Sequence, residues 1–145
     1  MANQLELDKA YIKMAYVWAS LSKAKRKQVG CLIVKGGAII SDGFNGTPKG
    51  FGNQCERQVP YFSWKQEETK PEVLHAESNA ITKLAKSTQS SIGATIYTTA
   101  SPCINCSKLI IQSDIARVVY DELYKNKDGV ELLKKAGVEV ECLNA

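Results

Sequence analysis

A chain of 145 residues, 44% hydrophobic and 23% charged, is sized for one domain that buries roughly two-thirds of its unfolded surface without disulfide help. No apolar run approaches the ~20 residues of a membrane span. Met1 to Asp8 lacks a basic stretch followed by an apolar core, so neither a membrane nor a secretory class is expected, and a cytoplasmic location is the default. The net charge of +4 is modest, and much of it sits in Lys23, Lys25, Arg26 and Lys27. That cluster reads equally as a solvated loop or as an anion site for one phosphate or a nucleic-acid backbone.

From Leu7 to Leu21 the residues Ala10, Tyr11, Met14, Val17, Trp18 and Leu21 recur at helical spacing and predict a first helix packed on a sheet. After the polar break Lys23 to Gln28, Val29 to Val34 reads as a buried strand, and Gly36-Gly37 turns it into a second strand, Ala38 to Phe44. Asn45 then opens an irregular stretch lasting to about Pro71, longer than compact domains usually tolerate and therefore a candidate substrate or regulatory loop. Within it Tyr61, Phe62 and Trp64 suggest a contact with another surface. A second helix follows Pro71, with Leu74, Ala76, Ala80, Ile81, Leu84 and Ala85 as its apolar stripe and His75 and Glu77 at its start. Ala94 to Thr99, rich in β-branched residues, is a third strand that ends just before Ser101-Pro102-Cys103. A third helix from about Cys103 to Gln112, a fourth strand from Ala116 to Tyr120, a fourth helix from about Lys127 to Lys135 and a short strand from Val138 to Cys142 complete the chain. Gly137 terminates the last helix. Strand and helix alternate after residue 72, which predicts a mostly parallel arrangement joined by the antiparallel hairpin: a mixed five-stranded sheet in an α/β fold.

Five cysteines in a chain without secretory features favour thiols and metal ligands over a disulfide framework. Cys31 and Cys142 read as small buried hydrophobes. Cys55 reads the same way, because the only histidine is placed in another cluster. That cluster is His75-Ala76-Glu77 together with Pro102-Cys103-Ile104-Asn105-Cys106. One nitrogen and two thiolates, with Cys103 and Cys106 three residues apart on one helix face, can hold one Zn²⁺ and leave the fourth tetrahedral position for water. Proline suits the start of a helix, so Cys103 is expected in a first turn whose dipole favours thiolate. Glu77, outside the ligand set, is placed to shuttle protons for a zinc-bound water. A purely structural zinc site would have four protein ligands, and no fourth is evident.

The spacing matches the H-x-E and P-C-x-x-C pattern of zinc-dependent nucleobase deaminases. Over most of its length the chain resembles the deoxycytidylate (dCMP) deaminases of the cytidine deaminase-like superfamily, in Gln28-Val29-Gly30, Gly43 to Gly50, His75 to Ile81, Ser101 to Ile111 and Ala136-Gly137-Val138. The resemblance implies a three-layer αβα sandwich, hydrolysis of dCMP to dUMP for thymidylate synthesis, and one catalytic zinc per chain. It also implies that Asn45 holds the sugar, that backbone around Ala76 meets the pyrimidine and that Arg26 meets the phosphate. Tyr120 and Tyr124, at the end of the fourth strand, are further pocket candidates, Tyr120 reading equally as a core residue. Regulated members are hexamers activated by dCTP and inhibited by dTTP. The resemblance places the effector site in the loop after the second strand, here Gly46, Lys49, Gly50, Gly52 and Asn53, with Mg²⁺ accompanying a triphosphate. No membrane or nucleic-acid partner is expected on this reading. Two other readings stand beside it: a deaminase of another cytosine nucleotide or of a base in tRNA or single-stranded nucleic acid, and a nonenzymatic zinc-stabilised interaction protein.

Overall fold

The computed structural model describes residues 1–61 and 64–144. The elements in chain order are α1 (Gln4–Ala19), β1 (Gly30–Lys35), β2 (Ala38–Phe44), β3 (Glu56–Tyr61), β4 (Trp64–Thr69), α2 (Ala76–Ala85), β5 (Thr95–Ala100), α3 (Ile104–Gln112), β6 (Arg117–Glu122), α4 (Asp128–Lys135) and β7 (Glu139–Cys142). Five strands form one sheet in the order β2-β1-β5-β6-β7, and β3 and β4 form a separate hairpin.

The apolar run of β1 is continuous because it feeds two cores. Cys31 and Ile33 join Ala76, Ala80, Leu84, Ile110 and Leu133 on the face covered by α2, α3 and α4. Leu32 and Val34 join Ile12 and Ala15 on the face covered by α1. Ile96 and Tyr97 in β5, and Val118 and Val119 in β6, divide in the same way, as the period of a strand requires. The layers are therefore α1, sheet, and the three remaining helices. Two glycines let the layers close. A Cβ on Gly30 would stand 2.0 Å from the Ala15 carbonyl of α1, and one on Gly43 would stand 2.4 Å from the Ala76 carbonyl of α2.

Three expectations are corrected or extended here. The first concerns direction: β1 pairs antiparallel with β5 as well as with β2, and only β5–β6 and β6–β7 are parallel. The crossover through α2 returns the chain in the direction of β2 but inserts it beside β1, so the strands after residue 72 are parallel as expected while β1 adds a second antiparallel pairing to the mixed sheet.

The second concerns α1. It starts earlier, at an Asn3 cap whose side chain accepts from the Glu6 amide while Glu6 returns a bond to Asn3, a reciprocal capping box. Its buried face is Asp8, Ile12, Ala15 and Ala19, while Met14, Val17 and Leu21 are exposed. Small residues are needed where α1 crosses Gly30, and Asp8 is drawn inward by Arg117 and Tyr97, so the stripe is rotated from the one hydrophobicity predicts.

The third concerns residues 45–71, which are not irregular throughout. The hairpin β3–β4 is held by ladder pairing of Glu56 with Thr69 through to Tyr61 with Trp64 and by Arg57–Glu68 and Gln58–Glu67 side-chain pairs. Its strands are polar on both faces and carry Pro60, so no apolar alternation announces them. Of the aromatic group Tyr61, Phe62 and Trp64, Tyr61 and Trp64 form the last pair of the hairpin ladder. Phe62 falls outside the described residues, and no surface contact of the other two is described.

Candidate active site

Two helix starts meet at the end of the sheet where β5 and β6 finish. His75 caps α2 and Cys103 caps α3, one position earlier than the first turn expected for Cys103. The cap role explains the geometry: the Cys103 sulfur accepts from the Cys106 amide at 3.5 Å, and both sulfurs lie 3.4 Å from His75 Nδ1. Ligands ~2.0–2.3 Å from a tetrahedral ion stand ~3.5 Å apart. The three donor atoms all lie within 4.8 Å of one another, the only such cluster found among the described residues. The trio therefore fits a zinc ion, and its donor set is the one zinc prefers. Cys55 and Cys31 are buried elsewhere and Cys142 is half-buried, so none supplies a fourth ligand. Mg²⁺ likewise has no second cluster of ligands among the described residues.

Charge is concentrated here. The hydrogen bond from Cys106, together with His75, brings the Cys103 thiol down to about 3, and the contact with Cys103, with burial, pushes the Cys106 thiol up. His75 is raised, chiefly by its bond to Cys103. Glu77, only 4% exposed, is raised by burial against the opposing effects of Cys106, His75 and Thr98. A buried carboxyl whose affinity for a proton is raised in this way is suited to moving protons. Thr98 Oγ1 lies 3.0 Å from Glu77 Oε1.

A cleft opens from this group. Its walls bring together most of the residues singled out in the sequence: Arg26, Asn45, Ala76, Glu77 and Tyr124, beside His75 and Cys103. The Ala76 amide, at the first helical position, has no intrahelical acceptor and remains free for a ligand, whereas its carbonyl accepts from Cys31 Sγ at 3.1 Å. Asn45 is more committed than expected. Its Oδ1 accepts from the Val29 amide at 2.9 Å, and its Nδ2 donates to the Lys27 carbonyl at 2.7 Å, so it buckles the basic loop to the end of β2. Tyr120 is 8% exposed in β6 and is not among the lining residues. Its partner there is Cys142.

Gly46 lines a second, more open depression of about 790 Å³ with Thr47, Asp42, Lys83 and Lys86. Lys49, Gly50, Gly52 and Asn53 line neither cavity. Two wall residues were missed from sequence. Ser101 accepts from the Tyr124 amide at 2.8 Å and fixes the loop after β6. Glu56 begins β3, at 3% exposure, with Oε2 accepting from the Lys25 and Arg26 amides at 2.9 and 3.1 Å. Nothing in the sequence marked it, because its strand was not visible.

The family model "Cytidine and deoxycytidylate deaminase zinc-binding region" matches residues 5–122. The chain is 36% identical to the deoxycytidylate deaminase of Enterobacteria phage T2 over 89% of its own length and 88% of the relative's. It is 32% identical to that of Saccharomyces cerevisiae over 92% of its own length and 43% of the yeast protein's. A crystal structure of the dCMP deaminase of cyanophage S-TIM5 in complex with dCMP and dUMP superposes with a TM-score of 0.87 at 40% identity, covering 98% of this chain and all of that one.

Proposed function

The chain belongs to the cytidine and deoxycytidylate deaminase family, and on that premise we propose that it hydrolyses dCMP to dUMP and ammonia, supplying dUMP for thymidylate synthesis. The observation that carries the choice of substrate is a single cleft that joins His75, Cys103 and buried Glu77 to the basic residues Arg26 and Lys27. A pyrimidine at the first group leaves its 5′-phosphate to be met by the second, and a guanidinium can bind that dianion bidentately. The phage T2 and S-TIM5 enzymes support the same substrate by their names and, for S-TIM5, by the complex with dCMP and dUMP.

Zn²⁺ held by His75, Cys103 and Cys106 would supply a water acidified to near neutral pH as the nucleophile. Glu77 takes one proton of that water and gives it to the ring nitrogen beside the attacked carbon. The second water proton crosses the same carboxylate to the departing amine, which leaves as ammonia, and a carbonyl remains. Thr98 holds Glu77 in place, and the Ala76 amide meets the pyrimidine edge. Asn45 fixes the floor of the sugar site through Lys27 and Val29, with capacity left on its amide for the sugar itself.

Regulation by dCTP and dTTP belongs to the same reading. The depression beside Gly46 and Thr47 carries Lys86, and Lys83 paired with Asp42, as cations for a triphosphate, and Gly46 follows the sugar-site residue Asn45 directly. An effector acts there only through differential affinity for two loop arrangements. Mg²⁺ would enter with the triphosphate. The exposed Met14 and Val17 of α1, Leu21 just beyond it, and Ile104 and Leu109 of α3 support burial in a homo-oligomer, a hexamer by family resemblance. The test is product identification: zinc-loaded protein should release dUMP and ammonia from dCMP in equal amounts, with rates raised by dCTP and lowered by dTTP. Unchanged dCMP would refute the substrate, and indifference to both triphosphates would refute the regulation.

A further inference from the structure

Glu56 is the one wall residue whose charge is unexplained by the reaction. It is 3% exposed and lines the cleft. Its Oε2 is occupied by the Lys25 and Arg26 amides, while Oε1 is buried without a hydrogen-bond partner among the described residues. A buried acceptor left open in a binding cleft calls for a donor from the ligand. We propose that Glu56 is a specificity-determining residue, whose Oε1 accepts from the free 3′-hydroxyl of a mononucleotide and rejects any nucleotide whose 3′-oxygen is esterified.

The assignment rests on the dCMP reading and follows from the donors that dCMP possesses. A carboxylate oxygen can only accept, so the phosphate and the pyrimidine carbonyl are unsuitable partners. The 4-amino group is the group that leaves and must lie at His75, Cys103 and Glu77. The 3′-hydroxyl is the remaining donor, on the sugar that joins the pyrimidine to the phosphate. Glu56 is placed for that middle position, because its other oxygen holds the backbone of Lys25 and Arg26, the loop that meets the phosphate. The same carboxylate would face a second anion if the 3′-oxygen carried a phosphate, as at every internal position of a nucleic acid. Like charges brought together in a water-poor site repel strongly, so the cleft excludes polynucleotides by charge as well as by shape.

The test compares kcat/KM of the zinc-loaded full chain on dCMP, deoxycytidine, 2′,3′-dideoxycytidine 5′-monophosphate and deoxycytidine 3′,5′-bisphosphate, in the parent and in Glu56→Gln. The parent should lose roughly 10- to 100-fold on the dideoxy compound, the range of a hydrogen bond to a charged group, and about 100-fold or more on the bisphosphate. Glu56→Gln should narrow the bisphosphate gap by about tenfold or more, since the amide is neutral and can donate. A role confined to holding the Lys25–Arg26 loop would instead change the dCMP-to-deoxycytidine ratio and leave 3′ discrimination intact, and that result overturns the proposal. Parent enzyme that uses the dideoxy compound as well as dCMP, within about twofold, overturns it too, whether or not the variant folds. Parent enzyme inactive on dCMP itself would overturn the substrate reading beneath it.

Discussion

Thr98 Oγ1 stands 3.0 Å from Glu77 Oε1 and 2.8 Å from the Ala100 carbonyl oxygen, so one hydroxyl proton serves two acceptors. When Glu77 is ionised the hydroxyl can donate to it. When Glu77 carries a proton, the hydroxyl can accept from the acid and donate to Ala100. Thr98 is fully buried, and both hydrogen-bonding states are satisfied by rotation of a single bond.

Glu77→Gln should keep zinc and fold while turnover falls roughly 10²-fold or more, the scale of a positioned acid–base group. Thr98→Val, nearly isosteric, should lower kcat roughly tenfold with little change in KM, because it acts on the shuttle and not on the substrate. Steady-state kinetics on metal-quantified protein decides both. Parent-like turnover in Glu77→Gln would remove that carboxylate from the mechanism.

Metal content tests the trio. The parent should bind one zinc per chain, and Cys106→Ala should lose it, because the remaining imidazole and thiolate leave two of three protein ligands. Elemental analysis after dialysis is the measurement. Full zinc occupancy in the variant would mean that another residue completes the site.

Arg26→Gln should reduce kcat/KM on dCMP more than on deoxycytidine, since only the nucleotide carries the charge to be met. Equal losses on the two would make Arg26 a structural member of the loop.

On the far face of the sheet, Asp8 receives Arg117 at 2.7 and 2.9 Å and the Tyr97 hydroxyl at 2.6 Å. Burial alone would raise its carboxyl, but the bonds from Arg117, Tyr97 and Gln4 outweigh it and hold Asp8 below the usual carboxylate range. A depressed folded pKa gives stability that is present above the unfolded value of 3.8 and disappears as pH falls through the lower folded value. Asp8→Asn should therefore cost about 3 kcal/mol at pH ~7, the scale of breaking one side of a buried pair, and the deficit should shrink below pH ~4. Denaturant unfolding at both pH values checks the sign. A deficit independent of pH would assign the loss to packing.

Much of the site was legible because its chemistry is local in sequence. His75 and Glu77 share one helix start, Cys103 and Cys106 another, and three-residue spacing on a helix fixes both sulfurs on one side. The five-stranded sheet was legible for a related reason: β1, β5 and β6 are apolar enough to stand out from any neighbour. Hidden features depend on pairings far apart in the chain. Glu56 is buried only because β3 folds back against residues 25–26, and the β3–β4 hairpin is held by polar cross-strand pairs that look like loop composition. Asp8 is a charged residue on the inner face of α1, which a hydrophobic stripe necessarily assigns to the outside. Tyr120 carries two readings, pocket or core, because it lies at the cleft end of an apolar strand; it is buried in β6 and paired with Cys142 of β7.

Ammonia release by zinc-loaded protein, compared across dCMP, CMP, deoxycytidine and a tRNA anticodon stem-loop, is the most direct test of substrate. The cleft that joins Glu77 to Arg26 predicts the highest kcat/KM on dCMP, a large loss on deoxycytidine, where the phosphate is missing, and no release from the stem-loop, whose 3′-oxygens are esterified. Preferred turnover of deoxycytidine or of the stem-loop would contradict it.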